Sequence, residues 1–459
     1  MAHDSSSSKW PNNTNLRTAS KVCLAMVTLV LLYYASFTMR VGRTSLVPFQ
    51  IDREDFIDRW LNTRLLGPFN PAVIRPYCQQ STWRPNLIFH LYDADGGIGN
   101  FRAHFLDFLW YAMEMGASIV LPNTAMRNTD NLLDLTGDGE RAPFRNAFDE
   151  AWFKAAIREA CPPMRVYDPP KNASELGQHF EEQFHPVEVT RRRDTNRISW
   201  VRTMDGWLQD RGYEANSDKK YIVDMSRTMW QIDTQRLSPA LRVNFGMLLR
   251  INPDVRRYAA IAMSNLAAVY GVHLNASERV HQRAFYGAHL RTESDAIGAG
   301  YTSGNCDESS CPLDFEAQTD SYIDAAREHG LRHIFVASGN QTEAENFKAK
   351  AAAQSPPLIV VDKWDLLPPE ESRLLQAYHW DIQALVDYEI MMRCSVFGSI
   401  SQSSFGWTIA VARTVWMDEN GIVNDAMFTG DPLIAYDNGM NKLVGRNWIL
   451  EGQAPVMFP

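Results

Sequence analysis

Short apolar runs recur along the chain from residue 81, each ending at a polar or glycine-rich turn. Leu87-Ile88-Phe89, Ser118-Ile119-Val120-Leu121, Ile334-Phe335-Val336, Leu358-Ile359-Val360-Val361 and Val396-Phe397 read as strands. Helical patterns separate several of them. Phe101, Phe105, Phe108, Leu109 and Ala112, for example, fall on one face at three- and four-residue spacing. Strand and helix in alternation predict parallel sheets with crossover helices. The runs fall into two groups, which predicts two α/β domains at 81–240 and 245–459, without an internal repeat. In such sheets ligands bind beyond the carboxyl ends of the strands.

The N-terminal part has a different pattern. Val22 to Met39 is uncharged and bounded by Lys21 and Arg40. At about 1.5 Å per residue it spans roughly 27 Å, near the thickness of a thin secretory-pathway bilayer. No A-x-A cleavage signal follows, so an uncleaved signal anchor is expected rather than a signal peptide. The Ser/Asn-rich segment 1–21 is then a cytosolic tail, and 40–80, rich in proline and charge, a stem. Basic residues on both flanks do not set the orientation. Sequons at Asn172, Asn275 and Asn340 permit a lumenal C-terminal part, in the Golgi or endoplasmic reticulum as a single-pass type II protein.

Composition narrows the functional classes. Apolar residues make up 45% and charged residues 22%, the balance of a folded globular protein. A net charge of −9 argues against a broad nucleic-acid surface but leaves room for a local phosphate pocket. The six cysteines are too few for a disulfide scaffold and lack zinc-finger spacing. Cys306 and Cys311 are expected to close a small loop, Cys78 and Cys161 are a second possible pair, and Cys394 is expected to stay reduced.

Three places carry candidate chemistry. The first is a strand running into Gly96-Gly97-Ile98-Gly99-Asn100 and then a helix, where backbone N–H groups can hold an anion or a sugar hydroxyl. Arg102 stands where a dinucleotide fingerprint needs its third glycine, which excludes a nicotinamide-type site. Just before it, Asp93-Ala94-Asp95 offers carboxylates for a divalent ion, or simply a turn. The second is the strand exit His289-Leu290-Arg291, followed by Glu293 and Asp295; alternation puts His289 and Arg291 on one face, and an arginine there can grip a phosphate in two-pronged fashion. The third is a helix holding Asp387, then a strand at Val396–Ile400, then Ser403-Ser404-Phe405 opening another helix whose N-terminus can bind phosphate.

Taken in order, these places resemble the GDP-fucose-dependent fucosyltransferases of the protein O-fucosyltransferase type, a superfamily shared with the α1,2- and α1,6-fucosyltransferases. The glycine loop appears as Gly96-Gly97-Ile98-Gly99-Asn100-Phe101-Arg102, the H-x-R motif as His289-Leu290-Arg291, and the late S-S-F motif as Ser403-Ser404-Phe405, with Asp387 eighteen residues before Phe405. The resemblance implies a GT-B fold, with two Rossmann-like domains facing across a cleft. The C-terminal domain would hold GDP-fucose and the N-terminal domain the protein or glycan acceptor. It implies an inverting displacement without a metal or other cofactor. Arg291 would stabilise the leaving diphosphate, and Gly97, Gly99, Asn100, His289, Asp387, Ser403, Ser404 and Phe405 would bind substrate. The glutamate base of one family branch is replaced here by Gly97, so the motif names no base. Two rival readings remain: a metal-dependent transferase using Asp93 and Asp95, and a lumenal binding protein without turnover.

Overall fold

The computed structural model describes residues 52–92, 94–127, 132–134, 139–170, 175–186, 197–298, 313–422, 434–445 and 457–459. The expected tail and membrane segment, Asp93, Asn172, Cys306 and Cys311 lie outside these residues. Among the described residues no helix is long and apolar enough to cross a membrane.

Two sheets organise the chain. The first contains β1 (Leu87–Leu91), β2 (Ser118–Val120), β3 (Val166–Tyr167), β4 (Gln178–His179) and β5 (Tyr221–Met225), in the order β3-β2-β1-β5-β4. All its pairings are parallel, with Phe89 opposite both Ile119 and Val223. The second contains β6 (Tyr286–His289), β7 (His333–Ala337), β8 (Ile359–Val361), β9 (Val396–Ile400), β10 (Ile434–Asp437) and β11 (Asn441–Val444), in the order β8-β7-β6-β9-β11-β10. Only β10 runs antiparallel, to β11. The five apolar runs picked from the sequence therefore all form strands. Each sheet reverses its strand order once on either side of its first strand, between β1 and β5 and between β6 and β9. Strand ends diverge at such a point and leave a crevice.

The helix Ile98–Met115 starts at Gly97 and stops at Gly116, whose φ of 68° suits a residue without a Cβ. A one-faced amphipathic helix is expected there, yet all its side chains but Asn100 are buried. It packs on β1 and β2 and also on the helices Trp380–Met391 and Ser404–Glu419 of the second sheet's lobe. Being covered on every side, it carries apolar residues around most of its circumference.

Residues 53–79, placed in the stem by their composition, belong to the folded body. Asp52 caps the helix Arg53–Asn62 by accepting from the Asp55 amide, and Phe56, Ile57 and Trp60 are buried against the helix Pro253–Tyr270. One narrow apolar stripe among charges is a faint signal in sequence, and the packing decides it. Nor does the chain divide cleanly near 240. Met457 and Phe458 return to the first lobe, where Phe458 stacks near Trp110 and Phe245. Arg102, the residue that breaks the dinucleotide fingerprint, donates to the Phe458 carbonyl at 2.6 Å and the Gly246 carbonyl at 3.3 Å.

Cys78 and Cys161 form a disulfide with their Cα atoms 5.4 Å apart, and Cys394 is a buried free thiol. The bridge closes a sequence separation of 83 residues. Replacing both cysteines with serine should lower unfolding free energy by about 2–5 kcal/mol. Denaturant titration checks this, and an unchanged midpoint would show that the bridge does not constrain the unfolded chain.

Candidate active site

Both switch points open onto one cleft of about 1360 Å³. Gly97, Gly99, Asn100, His289, Arg291, Asp387, Ser403, Ser404 and Phe405 all line it, although the first and last lie about three hundred positions apart in sequence. The glycine loop and Asn100 approach from the first lobe, the others from the second.

The glycine loop is shaped by close approach. Gly96 has φ of +90°, a conformation that favours glycine. A Cβ on Gly99 would lie 2.6 Å from the Phe405 amide nitrogen and 2.7 Å from the Ser404 carbonyl carbon. The N-terminus of helix Ile98–Met115 thus abuts that of helix Ser404–Glu419. Since the obstructing atoms are backbone, Gly99→Ala must push the two helix starts apart. The expected result is a loss of about 1–3 kcal/mol of stability and lower affinity for any ligand held by both. Calorimetric melting and ligand titration test it; a variant with both unchanged would remove the close approach as a constraint.

His289 ends β6. Its ring lies 4.7 Å from that of Phe405, and Nδ1 is 2.9 Å from Ser399 Oγ. Burial, helped by the neighbouring Arg291 and opposed by Glu293, lowers its pKa to about 4, so the imidazole is neutral at physiological pH. Two residues on, the Arg291 guanidinium donates to Glu293 Oε2 at 2.5 Å and to the two Asp295 oxygens at 2.7 and 2.6 Å. Burial alone would lower its pKa, but Glu293 and Asp295 outweigh this and raise it. These bonds use three of the five guanidinium N–H donors, leaving two for a ligand.

The strand exit is also held from behind. Gln318 accepts from the Arg291 amide at 2.9 Å and donates to its carbonyl at 3.2 Å. One turn later on the same helix, Phe315–Glu328, Tyr322 donates to the His289 carbonyl at 2.8 Å. Sequence reasoning missed both residues. Their signal is a buried Gln and Tyr four apart on an otherwise apolar helical face.

Ser403 is the N-cap of helix Ser404–Glu419, accepting from the Gly406 amide at 3.3 Å. The first amides of that helix have no intrahelical acceptor, and Ser403, Ser404 and Phe405 line the cleft together with His289. Asp387 accepts from Lys363 Nζ at 2.5 Å through Oδ2, while its buried Oδ1 has no hydrogen-bond partner among the described residues. Burial raises the Asp387 pKa to about 6 despite the attraction of Lys363.

Further residues reach the cleft unannounced by any motif. Arg127, from the loop after β2, grips Asp381 of the second lobe with two bonds of 3.0 and 2.9 Å and lies over the Trp380 ring. Arg227, Trp230 and Gln231 follow β5 and line the same wall. Buried groups of helix Ile98–Met115 fix that segment: His104 Nδ1 accepts from the Thr228 and Met229 amides, and Asp107 accepts from the Gln231 amide. Arg227 is exposed and has no ion pair among the described residues. Asp95, in contrast, does not line this cleft and accepts from Arg141 at 3.2 Å.

Comparison with known proteins adds the family. The model of the GDP-fucose protein O-fucosyltransferase family matches residues 89–415, from β1 through most of helix Ser404–Glu419. The chain belongs to this family. It is therefore a glycosyltransferase, as the three ordered motifs led one to expect. No curated protein sequence matches it. Among solved structures, POFUT1 in complex with GDP-fucose is 14% identical, with 73% of this chain and 96% of that chain covered and a TM-score of 0.44. NodZ α-1,6-fucosyltransferase soaked with GDP-fucose is 13% identical, with 73% and 93% covered and a TM-score of 0.37. A mutant of Arabidopsis thaliana FUT1 in complex with GDP is 11% identical, with 80% and 73% covered and a TM-score of 0.36.

Proposed function

We propose that this glycosyltransferase moves fucose from GDP-fucose to a protein or glycan acceptor. The observation that carries the reading is the second lobe's switch point, where a capped helix N-terminus at Ser404 opens beside Arg291 and His289 into the cleft. Backbone amides and an arginine converging at the carboxyl end of a parallel sheet suit a diphosphate. The two lobes with their facing sheets are read as a GT-B arrangement. Family membership supplies the donor.

In this mechanism an acceptor hydroxyl attacks the fucose anomeric carbon from the face opposite GDP. As the new carbon–oxygen bond forms, the acceptor hydroxyl gives its proton to water, the anomeric carbon–oxygen bond to GDP breaks, its electron pair passes to the β-phosphate, and the configuration inverts. Charge develops on that phosphate, where the two remaining Arg291 donors and the Ser404 and Phe405 amides stabilise it. Neutral His289 orients the diphosphate by hydrogen bonding, and the open Oδ1 of Asp387 accepts a donor N–H. Asn100, with Gly97 and Gly99 beside it, lines the side from which the acceptor enters. Carboxylates facing the cleft are each paired with a cation: Glu293 and Asp295 with Arg291, Asp381 with Arg127, Asp387 with Lys363. That pairing supports charge stabilisation by the chain's own cations, without a divalent ion.

The same proposal places the folded part in the lumen of the Golgi or endoplasmic reticulum, behind a membrane anchor at 22–39. An apolar run of membrane length and a disulfide suited to an oxidising compartment support it. Nucleotide release by the purified chain across a panel of nucleotide sugars tests the donor. GDP release from GDP-fucose alone, undiminished by a chelator, is expected. Release from another donor, or loss with chelator and recovery with manganese, would overturn the donor or the metal-free mechanism respectively.

A further inference from the structure

A second, smaller cavity of about 100 Å³ lies where the first lobe, the connection after helix Pro239–Gly246 and helix Trp380–Met391 meet. Its charged side chains are Arg64, Arg102, Arg250, Arg256, Arg393 and one carboxylate, Glu389, and the terminal residue Pro459 also lines it. Glu389 is taken by Arg256, whose Nε donates to it at 2.9 Å. The rest of Arg256 is occupied by the carbonyls of Leu61, Trp60 and Thr63. Arg393 donates to the carbonyls of Ala276, Glu278 and Trp60, and Arg102 to those of Phe458 and Gly246 and, separately, to the terminal Pro459 oxygen. Carbonyls satisfy donors but carry no net charge. Asp149 and Glu278 are the other side-chain carboxylates close enough to be felt, and neither lines the cavity.

Arg64 and Arg250 have no hydrogen bond or ion pair on their guanidinium groups among the described residues. The Nε atoms of Arg250 and of Arg393, which is 1% exposed, are buried and without an acceptor among the described residues. Arg250 lies over the Trp152 ring, which orients it without neutralising it. Five arginines around one small cavity, with Glu389 already paired to Arg256 and the terminal Pro459 oxygen held by Arg102, leave Arg64, Arg250 and Arg393 without a counter-charge in the cavity, and burial raises their mutual repulsion.

We propose that this cavity is a binding site for a small tetrahedral oxyanion, phosphate or sulfate, held chiefly by Arg64 and Arg250 with the Arg393 Nε–H as a further donor. Planar N–H forks match such an anion, and the cavity admits it without a larger substituent. Burial together with the neighbouring arginines lowers the pKa of Arg64 to about 10 and that of Arg250 to about 9, as expected of cations lacking a counter-charge. An anion here joins the 64–66 segment, the connection at 246–251 and the helix that carries Asp381 and Asp387 to the cleft, so its role is to fasten the joint between the lobes. The inference does not depend on what the cleft transfers.

Thermal unfolding of the full chain at constant pH and ionic strength tests it, with chloride replaced stepwise by inorganic phosphate in one series and by sulfate in another. The melting temperature is expected to rise saturably, by about 1–3 °C at ten times the dissociation constant. Whichever anion acts at the lower concentration is the better fit to the site. Arg250→Gln and, separately, Arg64→Gln should weaken the apparent affinity at least tenfold, by analogy with the loss of a charge-assisted hydrogen bond. The second variant serves if the first does not fold. No saturable shift beyond matched chloride overturns the proposal. So does a shift retained in a folded variant, because that anion would then be bound in the main cleft.

Discussion

Arg291→Ala is expected to cut turnover roughly a hundred- to thousand-fold, because it removes a stabiliser of charge that develops only as the glycosidic bond breaks. The geometry adds a second consequence. Glu293 and Asp295 are 4% and 9% exposed at the side chain and share this guanidinium, with Arg127 3.7 Å from Asp295 as a second, more distant cation. Deleting it leaves two carboxylates buried together without it, at a cost of about 3–5 kcal/mol of stability. A surface ion pair would cost at most about 1 kcal/mol. The two effects separate in the measurements: calorimetry reads the lost pairing, and kcat per folded molecule reads the lost transition-state contact. Arg291→Lys keeps a charge but cannot bridge Glu293 and both Asp295 oxygens while still offering donors to a phosphate, so it should lose kcat more than KM. Normal kcat in the folded fraction of Arg291→Ala would reduce this arginine to a structural counter-ion and shift the leaving-group role to Arg227 or the helix amides.

Lys363→Met should destabilise the protein by up to about 2 kcal/mol at pH 7.5, since Asp387 loses the cation that keeps it ionised in its buried site and must take up a proton on folding. The pH dependence has a definite sign. Asp387 already has a folded-state pKa of about 6, above its ordinary value near 3.8, because burial penalises its charged form more than Lys363 compensates. An acid raised in the folded state binds its proton more tightly there than when unfolded. Its contribution to stability is therefore largest at low pH and is lost as pH rises through the folded pKa. Without Lys363 that pKa rises further, and the loss extends to higher pH. Melting curves at pH 5 and 7.5 should show the variant close to the parent at the lower pH and far below it at the higher. Lys363→Met combined with Asp387→Asn should recover most of the difference at pH 7.5. Equal destabilisation at both pH values would mean that Lys363 acts through packing and not through the charge of Asp387.

Much of the framework was determined by local sequence. Five apolar runs bounded by turns became strands because each had to be buried between neighbours, and only an extended segment of that length fits there. The glycine loop, the H-x-R strand exit and the Ser403 cap were legible because each depends on residues adjacent in sequence: a positive φ, an alternating face, a hydroxyl before a helix. What those positions do together was settled by topology. Strand order, which periodicity does not encode, brings β6 beside β9 and so His289 beside Phe405. Contacts over long separations decided the rest. Gln318 and Tyr322 brace the strand exit from a helix that looks ordinary alone, Arg127 finds Asp381 across 254 positions, and Lys363 finds Asp387 from the end of another strand. The helix Arg53–Asn62 joins the body because Pro253–Tyr270 offers its short apolar stripe a partner. Cys78 selects Cys161 because folding brings their Cα atoms within bonding reach. Spacing along the chain measures none of these distances. A buried charge or a bare glycine acquires its meaning from the group that the fold sets against it, and for this protein that group lies, in nearly every case, in the other lobe or on a distant element of the same one.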